Sequence, residues 1–457
     1  MSEWKKVKIG DFLTEREGRY KPNDKEISKY QRLDKIDFSG HIHISDKPTK
    51  TDMIIVFPGD LVISGINVAK GAISVYQGKE PVCATIHYSS YTFDDKKVDL
   101  DYFKYFVKSP AFIFALQQQV KGGIKTEIKP KHLLPLEISL PDLSTQKEIV
   151  KVLSKKIEKV ELIKSEIESQ KAYAKQLRQN ILQEAIEGKL TENWRKENPV
   201  VKGNPDFDAE ALFEKIQEEK SHTDSELPLE TSLRIRNSKK KVFESISENE
   251  QPFEIPEGWK WVRLGEIIKD SPRNGYSPKA VDFETPIKTL KLGAVTYGIF
   301  DASEFKYINE EIPKDAHCWL KNGDILIERS NSIEYVGICA IYTGKDDEFM
   351  YPDLLMRFRT SDSLSKEYIH KVLVSPFNRQ YFMNNAKGSQ KTMPKINQET
   401  VSNTLIPLPP LAEQKEIVSC VEKLLTNVAE LEKQITEREE MTKQLMQSIM
   451  KDAFREG

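Results

Sequence analysis

Leu140-Pro-Asp-Leu-Ser-Thr-Gln-Lys-Glu-Ile-Val150 recurs as Leu408-Pro-Pro-Leu-Ala-Glu-Gln-Lys-Glu-Ile-Val418, a shift of 268 residues. The shift persists downstream: Lys175-Gln176-Leu177 returns as Lys443-Gln444-Leu445, and Ile181 as Ile449. A period this long marks a duplicated domain pair rather than a solenoid of short repeats. Each copy opens a long helical pattern and closes a larger unit that is itself repeated.

Val160, Ile163, Ile167, Ala174, Leu177 and Ile181 follow three-four spacing, as do Val428, Leu431, Ile435, Leu445 and Ile449. Gln170 and Arg438 form a polar break in the same stripe. Two such helices in one chain predict an intramolecular coiled coil whose outer faces carry Lys and Glu. Packing of each stripe on its own domain alone is disfavoured by length, since an unbroken helix over 145–188 would span about 65 Å.

Upstream, Trp4-Lys-Lys-Val7-Lys-Ile9-Gly10-Asp matches Trp259-Lys-Trp-Val262-Arg-Leu264-Gly265-Glu, a short strand turning at glycine, at a shift of only 255. The second copy therefore gains residues in its interior. Phe57-Pro-Gly-Asp60-Leu-Val-Ile-Ser64 matches Lys321-Asn-Gly-Asp324-Ile-Leu-Ile-Glu328, a turn followed by a strand. A polar hinge follows each strand, with Asn67 and Lys70 in one copy and Arg329 and Asn331 in the other. Residues 101–110 and 367–376 are amphipathic helices stopped at Ser-Pro. Beyond a second helix each copy carries a glycine-marked basic loop, Lys121-Gly-Gly-Ile-Lys125 and Lys387-Gly-Ser-Gln390-Lys391. Each unit reads as a mixed α/β (α+β) domain.

The expected organisation is a first globular domain over 1–143, a spacer helix over 144–190, a central linker with a short helix over 191–257, a second globular domain over 258–410 and a second spacer helix over 411–457. The basic run Arg234-Ile-Arg-Asn-Ser-Lys-Lys-Lys241 in the linker reads as a solvated face. Four scattered cysteines without a CxxC fit a reduced compartment, and no apolar run reaches membrane-spanning length, so a cytoplasmic protein with no membrane partner is expected. A net charge of -2 denies a diffuse basic footprint, so any nucleic-acid face is local or shared with a partner.

Catalytic chemistry is not patterned. No glycine-rich phosphate loop follows a strand, the one Pro-Pro is flanked by leucines, and His41 and His43 lack further ligands nearby. Catalytic, cofactor-binding and metal residues are accordingly expected to be none. Two homologous domains held by long helices, each with a basic flexible loop, suit a two-part target at fixed separation. DNA fits, because its phosphates accept Lys and Arg while Asn and Gln address base edges.

These residues together resemble the specificity (S) subunit of type I restriction-modification enzymes. The resemblance rests on the paired Trp-Lys openings, Pro58-Gly-Asp-Leu and Asn322-Gly-Asp-Ile, the repeated Leu-Pro-x-Leu-x-x-Gln-Lys-Glu-Ile-Val, and the helix ends Ile181–Leu190 and Ile449–Gly457. It spans the whole chain in the family's order. It implies two target-recognition domains and two long antiparallel coiled-coil helices in pseudo-twofold arrangement. It also implies a non-catalytic subunit that reads a bipartite double-stranded DNA sequence. Two methyltransferase subunits, using S-adenosylmethionine, and restriction subunits, using ATP and Mg, would assemble on it; no cofactor is implied for this chain. One departure is that the second helix copy ends at Gly457, where the first continues into Lys189-Leu190; a shorter final turn is expected to weaken docking of the last subunit there. The DNA-binding candidates are Asn67, Lys70, Lys121, Lys125, Arg329, Asn331, Lys387, Gln390 and Lys391, with phosphate contact expected of the lysines and adenine contact of Gln390. The competing reading is a non-enzymatic coiled-coil adaptor with two protein-binding heads.

Overall fold

A computed structural model describes residues 4–455 except 39, 48, 67–71, 120–128, 226–242 and 388–392, with backbone only at 111, 116–119 and 223–225. The chain divides into two compact units, Met1–Lys171 with Gln434–Gly457, and Ala172–Lys433. Each unit is an α/β head joined to a stretch of both long helices.

The first head has two four-stranded sheets and a ribbon. One sheet runs Leu13–Glu15, Tyr88–Phe93, Leu61–Ser64, Ile73–Val75, all antiparallel. The other runs Ile42–Ser45, Arg32–Ile36, Val82–Thr85, Met53–Val56, with one parallel step between Arg32 and Cys83. The second head repeats the plan. Its first sheet runs Arg273–Asn274, Leu355–Phe358, Ile325–Glu328, Cys339–Ile341. Its second pairs Phe305–Ile308 with Ile287–Leu290, and Ile287–Leu290 in parallel with Phe349–Met350. The central strands Leu61–Ser64 and Ile325–Glu328 are buried along their whole length, as strands covered on both faces must be.

The repeated sequence blocks have local physical causes. Asp60 and Asp324 each turn back to accept the N–H three residues earlier, from Phe57 and Lys321, both at 2.9 Å, which closes the Pro-Gly-Asp or Asn-Gly-Asp turn. The opening strand Lys5–Lys8 pairs with Glu137–Leu140, and Lys260–Arg263 pairs with Leu405–Leu408, so Val7 faces Ile138 and Val262 faces Ile406. The start of each head is thereby bonded to the lead-in of its long helix.

The glutamine of the repeated motif is a clamp. Gln146 and Gln414 are fully buried. Gln146 accepts the N–H of Asp99 at 2.7 Å and donates to the Pro141 carbonyl at 2.8 Å. Gln414 accepts the N–H of Ser365 at 3.0 Å and donates to the Pro409 carbonyl at 2.9 Å. Asp99 and Ser365 are the N-caps of the amphipathic helices Leu100–Phe106 and Lys366–Leu373. Each glutamine so ties a long helix to the cap of its head's own helix. Substituting either by leucine strands at least two backbone groups, the Lys97 carbonyl being a third for Gln146, and urea unfolding is expected to register a loss of about 2–4 kcal/mol.

The long helices are Leu143–Ile186 and Leu411–Ala453. They run antiparallel: in the first unit Lys171 meets Glu439 at 3.0 Å and Arg438 donates to Gln170 at 2.8 Å, while Leu153 and Val160 share a core with Ile449 and Phe454. In the second, Arg178 meets Glu432 at 2.9 Å and Ile181 shares a core with Val428. The polar break is thus a bond between two residues one repeat apart.

The buried line is a strict heptad, Leu153, Val160, Ile167, Ala174, Ile181 on one helix and Val421, Val428, Ile435, Thr442, Ile449 on the other. Of the expected seam, Val160, Ile167, Ala174, Ile181, Val428, Ile435 and Ile449 lie on this line and the others flank it. Ile163 is half-buried, and Leu177, Leu431 and Leu445 are 43, 47 and 44% exposed.

The segment after the first long helix is bonded to the second head. Helix Ala209–Ser225 buries Ala209, Leu212 and Ile216 in the core that holds Val262, Leu264 and Ile267. Pro205 and Asp206 offer carbonyls to the N–H groups of Leu411 and Ala412, at 3.1 and 3.2 Å, and so cap the second long helix. The basic run 234–241 lies outside the described residues. Among them no helix is long and apolar enough to cross a membrane.

Candidate nucleic-acid interface

In the second head the hinge and the loop meet. Strand Ile325–Glu328 ends at Arg329, whose carbonyl accepts the Ile396 N–H at 3.0 Å, and Ser330 bridges to Lys395. Lys395 in turn exchanges both backbone bonds with Lys387 at 2.9 Å, closing the basic loop at its base. Lys387 and Lys395 are exposed and Arg329 is half-buried. Backbone bonds therefore bring the hinge at Arg329 beside the loop base at Lys387 and Lys395. Lys395 escaped the sequence reading; its signal is that it closes the loop opened by Lys387.

Asn331 is bonded within the hinge. Its side-chain N–H donates to Glu328 at 2.7 Å, and its oxygen accepts the Ser332 N–H at 2.8 Å, so the amide holds the hinge. Glu328 is fully buried at the strand end and accepts a second bond, from the Thr296 hydroxyl at 2.6 Å. Burial raises its pKa; the bonds from Thr296 and Asn331 and the nearby Arg379 oppose that rise. Arg379 braces the far side, donating to the carbonyls of Val336 and Glu334 at 2.6 and 2.8 Å.

In the first head, Asn67, Lys70, Lys121 and Lys125 lie outside the described residues, as do Gln390 and Lys391 in the second. The flanks of the first-head pair line a cleft of about 500 Å³ with Gly65, His87, Arg19 and Lys129. The end of the central strand and the base of the basic loop thus share a surface here too.

In the second head His370 lies under the sheet, its Nε2–H donating to the Cys339 carbonyl at 3.0 Å. Burial first, then Lys371, holds its pKa down to about 4 against an ordinary 6.5. The unfolded chain takes up this proton near pH 6.5 and the folded chain only near 4. Stability is therefore full above 6.5 and falls toward pH 4, by on the order of 3 kcal/mol. His370→Asn is expected to flatten that part of the curve in urea unfolding from pH 4.5 to 7.

His41 and His43 approach the Asp37 carboxylate at 3.6 and 3.0 Å. Among the described residues no group of three His, Cys, Asp or Glu side chains is placed to hold a metal.

Comparison with known proteins agrees with this architecture. The family model described as type I restriction modification DNA specificity domain matches residues 1–170 and 256–440. The chain is 26% identical over 407 residues to the EcoKI specificity subunit of Escherichia coli K12, covering 88% of this chain and 75% of that one. It is 29% identical over 252 residues to the EcoEI specificity subunit of Escherichia coli, covering 54% of this chain and 39% of that one. A solved chain from work on complex assembly and conformational transition of the type I R-M system shares the fold, with a TM-score of 0.59 at 17% identity over 99% of this chain and 98% of that one. The two matched segments coincide with the two heads and their helix stretches, and the chain belongs to the family of type I restriction-modification DNA specificity subunits.

Proposed function

We propose that this chain is the DNA-reading, non-catalytic subunit of a type I restriction-modification complex. The observation that carries the reading is the duplicated site: in each head the end of a buried central strand and the base of a basic loop border one surface. Each head reads one half of a bipartite double-stranded sequence, and the helix pair sets the spacer between halves. Arg329, Lys387 and Lys395 contact phosphates, which positions the head without specifying sequence. Asn67, Lys70, Lys121, Lys125, Gln390 and Lys391 serve the same faces. Asn331 holds the hinge.

Two methyltransferase subunits and the restriction subunits assemble on this scaffold and bring S-adenosylmethionine, ATP and Mg with them. They also complete the basic channel that a chain of net charge -2 does not supply alone. Three of the four free cysteines are buried, and with no disulfide among them the cytoplasm is the fitting compartment.

The test is affinity selection from a randomised DNA library by the chain co-purified with its methyltransferase. Two short motifs at one fixed separation are expected, and exchanging residues 258–410 for another member's domain should change one motif only. A well-formed complex that enriches no sequence would overturn the reading in favour of a protein-binding adaptor.

A further inference from the structure

The second head carries a loop that the first lacks. Five residues separate the strands Arg32–Ile36 and Ile42–Ser45, whereas fourteen separate their counterparts Ile287–Leu290 and Phe305–Ile308. The topology makes them counterparts, since each leading strand is antiparallel to the next and parallel to Val82–Thr85 or Phe349–Met350. Bonds from Val295 N–H to Leu292, from Gly298 N–H to Val295 and from Asp301 N–H to Ala294, at 2.9–3.0 Å, stiffen the added loop. Gly298, at φ +75°, makes its turn. The residues on either side, Tyr297 and Ile299, are 84 and 78% exposed. Both side chains stand clear of the head's own core, on a loop held in place by its bonds.

The root of this loop is tied to the hinge. Thr296 donates to one oxygen of Glu328 while Asn331 donates to the other. The position matched to Glu328 in the first head is Ser64. One buried carboxylate therefore sets the Tyr297 loop against the Arg329–Ser332 hinge and the cations around it.

The geometry points to Tyr297 and Ile299 as specificity-determining residues of the second head. They form an apolar tip that enters the DNA groove beside the hinge and reads an apolar base edge, the thymine C5-methyl. Thr296, Glu328 and Asn331 are its positioning residues. The inference rests on the DNA-reading function above. Among groove-facing groups the thymine methyl is the one that apolar side chains recognise, and the cations Arg329, Lys387 and Lys395 make nucleic acid the fitting neighbour.

The test repeats the library selection with the methyltransferase complex of a Tyr297→Ala/Ile299→Ala variant. The second motif is expected to lose discrimination at one or two positions, thymine first, while the other motif is unchanged. Affinity for the selected site should fall on the order of tenfold, with affinity for random DNA unaltered. Replacing the thymine by uracil should weaken the unmodified protein and leave the variant indifferent. Glu328→Gln should relax the same positions while the complex still assembles. An unchanged second motif in the variant overturns the assignment, and so does an equal loss on all sequences, or loss of the methyltransferase from the variant complex, which would make the tip a protein contact. If the unmodified complex itself selects no motif, the DNA-reading function fails first.

Discussion

Glu413→Ala is expected to destabilise the second unit by about 3–5 kcal/mol, a large share of the usual stability of a domain. Glu413 is buried and serves three donors: Arg195 at 2.6 Å, Thr191 at 2.7 Å and the Trp259 indole N–H at 2.7 Å. Truncation strands a guanidinium that is only 20% exposed and two polar hydrogens that no solvent reaches. Glu413→Gln keeps an acceptor but no charge and should cost about 1–2 kcal/mol. The loss should be local first. The segment 191–209 docks through these bonds and caps the second long helix with its own carbonyls, so undocking exposes it to proteases and shifts Trp259 emission to the red. Wild-type unfolding and wild-type protease resistance in Glu413→Ala would mean that Leu212 and Ile216 hold the segment unaided.

This contact also shows where sequence reading ends. The repeated motif, the helix pair and the strand after each Gly-Asp turn were legible, because each is written in local periodicity or in a turn that a single aspartate closes. That position 145 is Thr and position 413 Glu was equally visible, but its meaning depends on chain 220 residues away. In the first copy Asp142 accepts the Thr145 N–H at 2.9 Å and caps its helix. In the second, position 410 is proline, and the cap comes from Pro205 and Asp206. A segment with no counterpart in the repeat has no pattern from which docking could be read, and only its amphipathic stretch at 208–220 signalled the helix that buries Leu212 and Ile216.

The candidate site divides the same way. Glycine-flanked lysines mark a flexible basic loop in any sequence, and the hinge after each strand was visible by its match. The role of Asn331 was not, since an asparagine on a polar hinge looks the same whether it faces a base or a buried carboxylate. The Asn331 side chain bonds Glu328, and a glutamate at the end of an apolar strand reads from sequence as the strand's exposed terminus. Tyr297 was hidden by the repeat itself: an insertion shows only as a change of shift, here from 255 toward 268, without its location.

The second large effect concerns the aspartates of the matched turns. Asp324→Ala is expected to cost about 3–5 kcal/mol, and Asp60→Ala distinctly less, although the two residues close the same turn in the same way. The difference lies in the cations. Asp60 takes a forked pair of bonds from Arg16, at 2.6 and 3.0 Å, and one from the Ser90 hydroxyl at 2.8 Å. Arg16 sits just past the edge strand Leu13–Glu15 and is 35% exposed, so water can hydrate it once the carboxylate is gone. In the second head the cation has moved to the neighbouring strand. Arg359 bonds Asp324 at 2.6 and 3.3 Å, and Arg357, only 5% exposed, stands 3.8 Å away while bonded to Asp270 at 2.8 Å. Removing Asp324 leaves two guanidinium groups around one remaining carboxylate. Water can hydrate Arg359, 35% exposed like Arg16, whereas it does not reach Arg357. Tryptophan fluorescence in urea resolves the comparison, because Trp259, Trp261 and Trp319 all lie in the second head. Equal losses for the two alanine variants would show that closing the turn, rather than neutralising the arginines, is what the buried aspartate does. A restored midpoint in Asp324→Ala/Arg357→Leu would show the reverse, since that pair removes the charge water does not reach, leaves Asp270 to Arg359 and leaves the turn unclosed.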